Sequence, residues 1–132
     1  MARALLTLLV AAAAGCHHHL DAGEGHVAEF RGTVSYRERM AMPAGARIVV
    51  ELVDLGAEPP KVLAQSEERT EQQVPVPYEL RYDPAATPRG GTLALRARIE
   101  VDGKVWFASP APERVHASEL GQAVDLLLQR TP

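Results

Sequence analysis

The chain has 132 residues, 46% hydrophobic and 23% charged, with a formal net charge of -3. That length fits one domain, the apolar share excludes a disordered chain, and the slightly acidic balance excludes the basic surface that nucleic acid demands. Ten prolines and ten glycines point to many turns, and so to β structure with short connections.

The N-terminus is a targeting segment rather than part of the fold. Arg3 precedes an apolar run of Leu5, Leu6, Leu8, Leu9, Val10 and four alanines. The run is shorter than the roughly 20 residues a spanning helix needs and matches a signal-peptide core. Ala13, Ala14 and Gly15 stand directly before Cys16 and resemble a bacterial lipobox, in which the cysteine sulfur receives a diacylglycerol and becomes the new N-terminus after cleavage. Cys16 is the single cysteine, so no internal disulfide forms. Residues 1–15 are therefore read as a lipoprotein signal peptide. Residues 16–26, with His17, His18, His19 and His26, are read as the lipidated cysteine and a flexible tether. Residues 27–132 form the domain. Position 17 is not Asp, which by resemblance to Gram-negative lipoproteins favours sorting to the outer membrane.

Within the domain the period-2 signal repeats. Phe30, Val34 and Tyr36 share one face of a first strand. Ile48, Val50 and Leu52 share a face of a second, and Val49 and Val53 on its other side suggest cover on both faces. Residues 61–66 form a weaker strand, preceded by Pro59-Pro60 and followed by the polar run 67–73. Val76, Tyr78, Leu80 and Tyr82 alternate with polar positions; Pro77 cannot donate to a ladder, which assigns that strand to an edge or to irregular pairing. Residues 92–102 alternate most cleanly: Leu93, Leu95, Ala97, Ile99 and Val101 against Thr92, Arg96, Arg98, Glu100 and Asp102, so a one-residue slip would bury arginines. Asp102-Gly103 reads as a tight hairpin turn into a strand over 104–109. A last strand carries Val124, Leu126 and Leu128. One helical turn with Ser118 as its cap fits 117–123. About seven short strands predict a small antiparallel two-sheet sandwich of immunoglobulin-like architecture, with a small β-barrel as the alternative.

Three stretches resemble a known family: Gly32-Thr33-Val34-Ser35-Tyr36-Arg37-Glu38-Arg39 with Met42-Pro43-Ala44-Gly45-Ala46 and Val49-Val50-Glu51-Leu52-Val53-Asp54; then Val76-Pro77-Tyr78-Glu79-Leu80-Arg81-Tyr82-Asp83; then Leu95-Arg96-Ala97-Arg98-Ile99-Glu100-Val101-Asp102-Gly103. They are similar to YbaY-type lipoproteins, which are related to the YscW-type pilotins of type III secretion. The family implies a β-sandwich lipoprotein. For its pilotin relatives it implies binding of a secretin subunit that is helped to the outer membrane. The similarity weakens after Ser109, where an aromatic expected within 110–115 is missing.

The candidate sites are few. His17, His18, His19 and His26 are metal-ligating residue types, but neighbours on a tether cannot all face one ion, so a solvated linker is the alternative. Arg96 and Arg98, with Glu100, Lys104 and Arg81 expected nearby, form a polar face for a partner or the ordinary wet side of a sheet. Arg37 and Arg39 end the first strand as partner contacts or as charges that keep an edge soluble. Trp106, the only tryptophan, is an interface anchor if exposed; the alternative places it under the tether or under 110–115. A free edge such as the Pro77 strand is suited to accept a partner strand. No Gly-x-Ser-x-Gly context, phosphate-binding glycine loop or ordered Cys/His spacing occurs. The expected protein is non-catalytic, with no cofactor beyond covalent lipid on Cys16. Its expected partners are the membrane and an envelope or secretion-system protein, at the periplasmic face of a Gram-negative outer membrane. An envelope-integrity role, or metal or small-molecule binding by the His-rich tether, is the alternative.

Overall fold

The computed structural model describes residues 28–87, 92–116 and 122–132; the signal peptide, Cys16 and the histidine tether fall outside it, as does most of the turn expected at 117–123. Eight strands follow in order: β1 (Ala28–Tyr36), β2 (Ala46–Asp54), β3 (Lys61–Thr70), β4 (Val76–Tyr82), β5 (Leu93–Val101), β6 (Lys104–Ala108), β7 (Glu113–Arg114) and β8 (Leu126–Arg130). A 3₁₀ turn, Pro84–Ala86, follows β4; Asp83 caps it by accepting from the Ala85 amide at 2.9 Å.

All-β is therefore correct, but the sandwich is not. The strands form one continuous path, β3-β2-β5-β6-β8-β1-β4, with β7 added beside β5. This sheet curls into a nearly closed barrel, the alternative architecture. The physical reason is β8. Its first residues pair in parallel with β1 (Val34↔Leu126 to Tyr36↔Leu128), and its last pair antiparallel with β6 (Phe107↔Arg130, Ala108↔Gln129). One strand thus stitches what would otherwise be two separate sheets, leaving a single seam between the edges β3 and β4.

Alternation places the core. On β4 every second residue, Val76, Tyr78, Leu80 and Tyr82, is buried and the intervening ones are exposed. On β5 Leu93, Leu95, Ala97, Ile99 and Val101 turn inward as expected. Phe30 stacks on Tyr82 with centroids 5.2 Å apart, and Tyr36 on Phe107 at 4.1 Å. Each such side chain contributes roughly 1.5–3 kcal/mol of burial. Val49 and Val53 are buried too, although they point outward. Val49 lies abreast of Glu67 and Arg98, each a member of an ion pair, so the expectation of cover on both faces of β2 holds.

Local chemistry explains most boundaries. Asp102 (φ 51°) and Gly103 (φ 75°) make the β5–β6 turn with positive φ at both positions, the geometry that matches strand twist. Pro77 sits on an edge strand, since β4 pairs only with β1. β3 runs four residues beyond the expected strand, into the polar segment, because it too is an edge. There the polar side chains stay wet, and the Arg47–Glu67 ion pair at 2.7 Å holds the ladder to β2. Gly32 is needed for close approach: a Cβ there would lie 1.9 Å from the Val124 carbonyl oxygen. The 122–125 segment consequently runs hard against β1. The Val124 amide donates to the Arg31 carbonyl at 2.8 Å. Asp125 accepts from both the amide and hydroxyl of Thr33 at 3.0 Å. No helix among the described residues is long and apolar enough to cross a membrane.

Candidate partner-binding surface

Arg96 and Arg98 do share one face of β5, and a residue absent from the expected site holds them there. Glu51 projects outward from β2 opposite Arg96 and is only 5% exposed. Its carboxylate accepts from Arg96 Nε at 2.7 Å and Arg98 Nη1 at 2.6 Å, while Arg98 Nε reaches Glu100 at 2.6 Å. Burial pushes the Glu51 carboxyl up, but the two guanidinium groups outweigh it and hold it below the usual carboxylate range. Both cations are thus neutralised within the sheet, and what reaches solvent is a compensated network. Arg81 does not join them. It lies on β4 against Glu29, at 3.5 Å, across the barrel. Glu29 also binds Arg31.

Trp106 is half-buried and packs against the core; the tether that one alternative places over it lies outside the described residues. The Arg130 guanidinium lies over its ring, 5.3 Å from the centroid. The Thr131 amide donates to the Trp106 carbonyl at 2.9 Å, fixing this arrangement. A shallow groove of about 160 Å³ follows, lined by Lys104, Val105, Trp106 and residues 130–132. Segment 110–115 instead adds β7 to β5 through Ala94↔Arg114 and Leu95↔Glu113 and sends Val115 into the core; an aliphatic residue fills the space where an aromatic was expected. Arg37 and Arg39 are exposed in the loop after β1 and make no ion pair among the described residues. Between them, Glu38 accepts from the Arg130 amide at 3.3 Å. No group of three or more His, Cys, Asp or Glu side chains among the described residues is placed to hold a metal; the tether histidines and Cys16 lie outside those residues.

A further groove lies at the barrel seam. Parts of β3 and β4 approach within 8 Å between Cα atoms, yet no ladder joins them. The groove between them measures about 630 Å³ and is lined by residues 68–72 and 76–79. Pairing with β2 shows which way β3 points: Ser66, Glu68 and Thr70 stand opposite the core residues Val50, Ile48 and Ala46. The inward-facing side of the second half of this edge strand is therefore polar, whereas Leu63 and Ala64 earlier in it pack against the core; Glu68 carries a carboxylate at the mouth of the barrel. Ile48, Val50, Val76 and Tyr78 lie beneath it. The Tyr78 hydroxyl donates inward to the Val124 carbonyl at 2.7 Å; burial, with Asp125 nearby, pushes its ionisation up. The 71–75 loop that bounds the groove is pinned at two points. The Gln72 amide donates to Thr70 Oγ1 at 3.0 Å, and Gln73 Oε1 accepts from the Met42 amide at 2.7 Å. Pro77 pointed to this edge in the sequence; the inward carboxylate of Glu68 did not show, because which face of β3 is inner depends on its register with β2.

Comparison with known proteins places this geometry in a family. A solved structure described as an alternative pilotin from the type II secretion system of Vibrio cholerae superposes with a TM-score of 0.73 at 32% sequence identity, covering 80% of this chain and 98% of that one. No curated protein matches the chain. The profile of the type III secretion system lipoprotein chaperones, YscW, matches residues 26–128, the whole barrel except its last few residues. The chain belongs to the YscW family of type III secretion lipoprotein chaperones.

Proposed function

We propose that this protein is a pilotin-like chaperone: a non-catalytic barrel, anchored by lipid on Cys16 at the periplasmic face of a Gram-negative outer membrane, that binds a subunit of a secretion system. The observation that carries the reading is family membership across the barrel, joined to the likeness with a secretion pilotin at 32% identity over nearly all of that protein. The lipobox-like Ala13-Ala14-Gly15-Cys16 supplies the anchor, and covalent lipid is the one non-protein group the reading requires. One acyl chain holds a protein only marginally, whereas two or three hold it firmly.

Two measurements test it. Intact mass of protein from native membranes is expected to show loss of residues 1–15 and a diacylglycerol-type adduct, and Cys16→Ser is expected to leave the membrane fraction. A bare thiol on a full-length chain overturns the anchor. Photo-cross-linkers placed in turn at Glu68, Trp106 and Leu127, an exposed leucine of β8, in the native envelope are expected to capture an identified secretion-system subunit from at least one position. Failure at all three overturns the chaperone reading.

A further inference from the structure

We propose that the β3–β4 seam is the partner-binding site, and that it takes an extended, cationic segment that parts β3 from β4, adds as a strand to β3 and sets a Lys or Arg side chain over Glu68; the parting is required because neighbouring strands lie about 4.8 Å apart and parts of the two edges approach within 8 Å. The inference rests on the chaperone reading above and names the surface and the chemistry of its partner. Three observations converge on it. First, the seam holds both ends of the main strand path, β3 and β4, each paired on one side only, and an unpaired edge is a template for one more strand. β3 is the better template: Lys61–Thr70 contains no proline, whereas β4 lacks the donor at Pro77. Second, the groove is acidic. Glu68, Glu71 and Glu79 surround it, with Arg69 as the only cation among its described lining residues. Glu79 has only a long contact to Arg31, at 3.7 Å, and Glu68 and Glu71 make no ion pair among the described residues. Glu67, by contrast, is taken up by Arg47. Third, Glu68 occupies an inward-facing position above Ile48, Val50 and Tyr78. A carboxylate there opposes casual edge-to-edge pairing between copies, and only a partner that brings a positive charge removes that opposition.

The barrel interior argues against an acyl chain as the occupant. The recess beneath the groove has only about 10 Å³ free, barely one water, so it admits no acyl chain and the ligand lies along the edge.

The test uses the lipidated full chain in non-ionic detergent and two fluorescein-labelled octapeptides, acetyl-(Val-Lys)4-amide and acetyl-(Val-Glu)4-amide. Anisotropy is expected to report binding of the first and none of the second, with affinity falling as salt rises. Glu68→Gln is expected to weaken binding about tenfold, as loss of a charge-assisted contact does, while Glu113→Gln on the remote β7 leaves it unchanged. Amide exchange is expected to slow at residues 66–70 on binding. Equal binding of both peptides, equal loss in the two variants, or protection confined to β6 and β8 overturns the proposal. In the native envelope, cross-linking of the secretion-system subunit from Leu127 or Trp106 but never from Glu68 overturns the seam alone and leaves the chaperone reading standing.

Discussion

Replacing Gly32 by alanine tests how the barrel is closed. An added Cβ would lie 1.9 Å from the Val124 oxygen, 2.5 Å from its carbonyl carbon and 3.0 Å from its nitrogen. All three are backbone atoms, so no side-chain rotation relieves the overlap. The 122–125 segment must retreat by at least about 1 Å to reach even the closest tolerated contact of 3.0 Å. That displacement breaks the 2.8 Å bond from the Val124 amide to Arg31, the 2.7 Å bond from Tyr78, and the paired bonds from Thr33 to Asp125. At about 1 kcal/mol for the Val124–Arg31 bond, about 1 for the exposed Thr33–Asp125 pair, and about 1–3 for the buried Tyr78 hydroxyl left without a partner, the loss is about 3–5 kcal/mol. A domain of this size has roughly 5–15 kcal/mol in total, so the midpoint of thermal unfolding should fall by roughly 15–30 °C. Urea unfolding followed by Trp106 emission gives the free energy directly. The control is Gly103→Ala, where nothing lies within 4 Å and only the positive φ is strained, at a cost of about 1 kcal/mol. If Gly32→Ala loses no more than Gly103→Ala, the close approach is not what fixes β8 in place.

Glu51→Gln is expected to cost about 1–2 kcal/mol at neutral pH, a figure reduced because Arg96 and Arg98 remain one-third exposed and screened. Because the Glu51 carboxyl is held below its ordinary value, its stabilisation is complete above the unfolded-state pKa and is lost as pH falls through the lower folded-state value. The variant's urea midpoint should therefore converge on the parent's in acid, and a constant gap at every pH would contradict the network. Tyr78→Phe removes one inward bond without changing the ring, so it should cost about 1–2 kcal/mol while leaving the far-ultraviolet spectrum unchanged; loss of strand signal would contradict the local role. Arg130→Ala uncovers Trp106, so its emission should shift to the red with less than about 1 kcal/mol of stability lost; an unmoved spectrum would show that the cation does not cover the ring.

What local sequence encodes was legible here, and what pairing encodes was not. The alternation in β4 and β5, the positive-φ turn at Asp102-Gly103 and the edge position of Pro77 all follow from properties of single residues. The barrel does not, because closure depends on β8 pairing with two strands at once, one distant in sequence, and no local period records that choice. The polar tail of β3 carried no strand signal for the same reason. Its residues are tolerated because the strand is an edge, a fact of topology. At the surface, the spacing of Arg96 and Arg98 alone points to a charged face. Glu51, which neutralises them, stands 45 residues before Arg96 and is recruited only by the β2–β5 register. The acidic seam was legible only as a free edge at Pro77.

The stitching role of β8 bears on the order in which the molecule can be made. A chain that emerges from a ribosome or an export channel delivers its earlier strands first. Until Leu126–Arg130 arrives, β1 and β6 each lack the neighbour that occupies one side in the finished barrel. During that interval the nascent polypeptide exposes raw edges and uncovered leucines, the state in which sheets most readily stick to one another. Variants that slow delivery or docking of those final residues should show up first as poor yield, well before any purified sample reveals a defect.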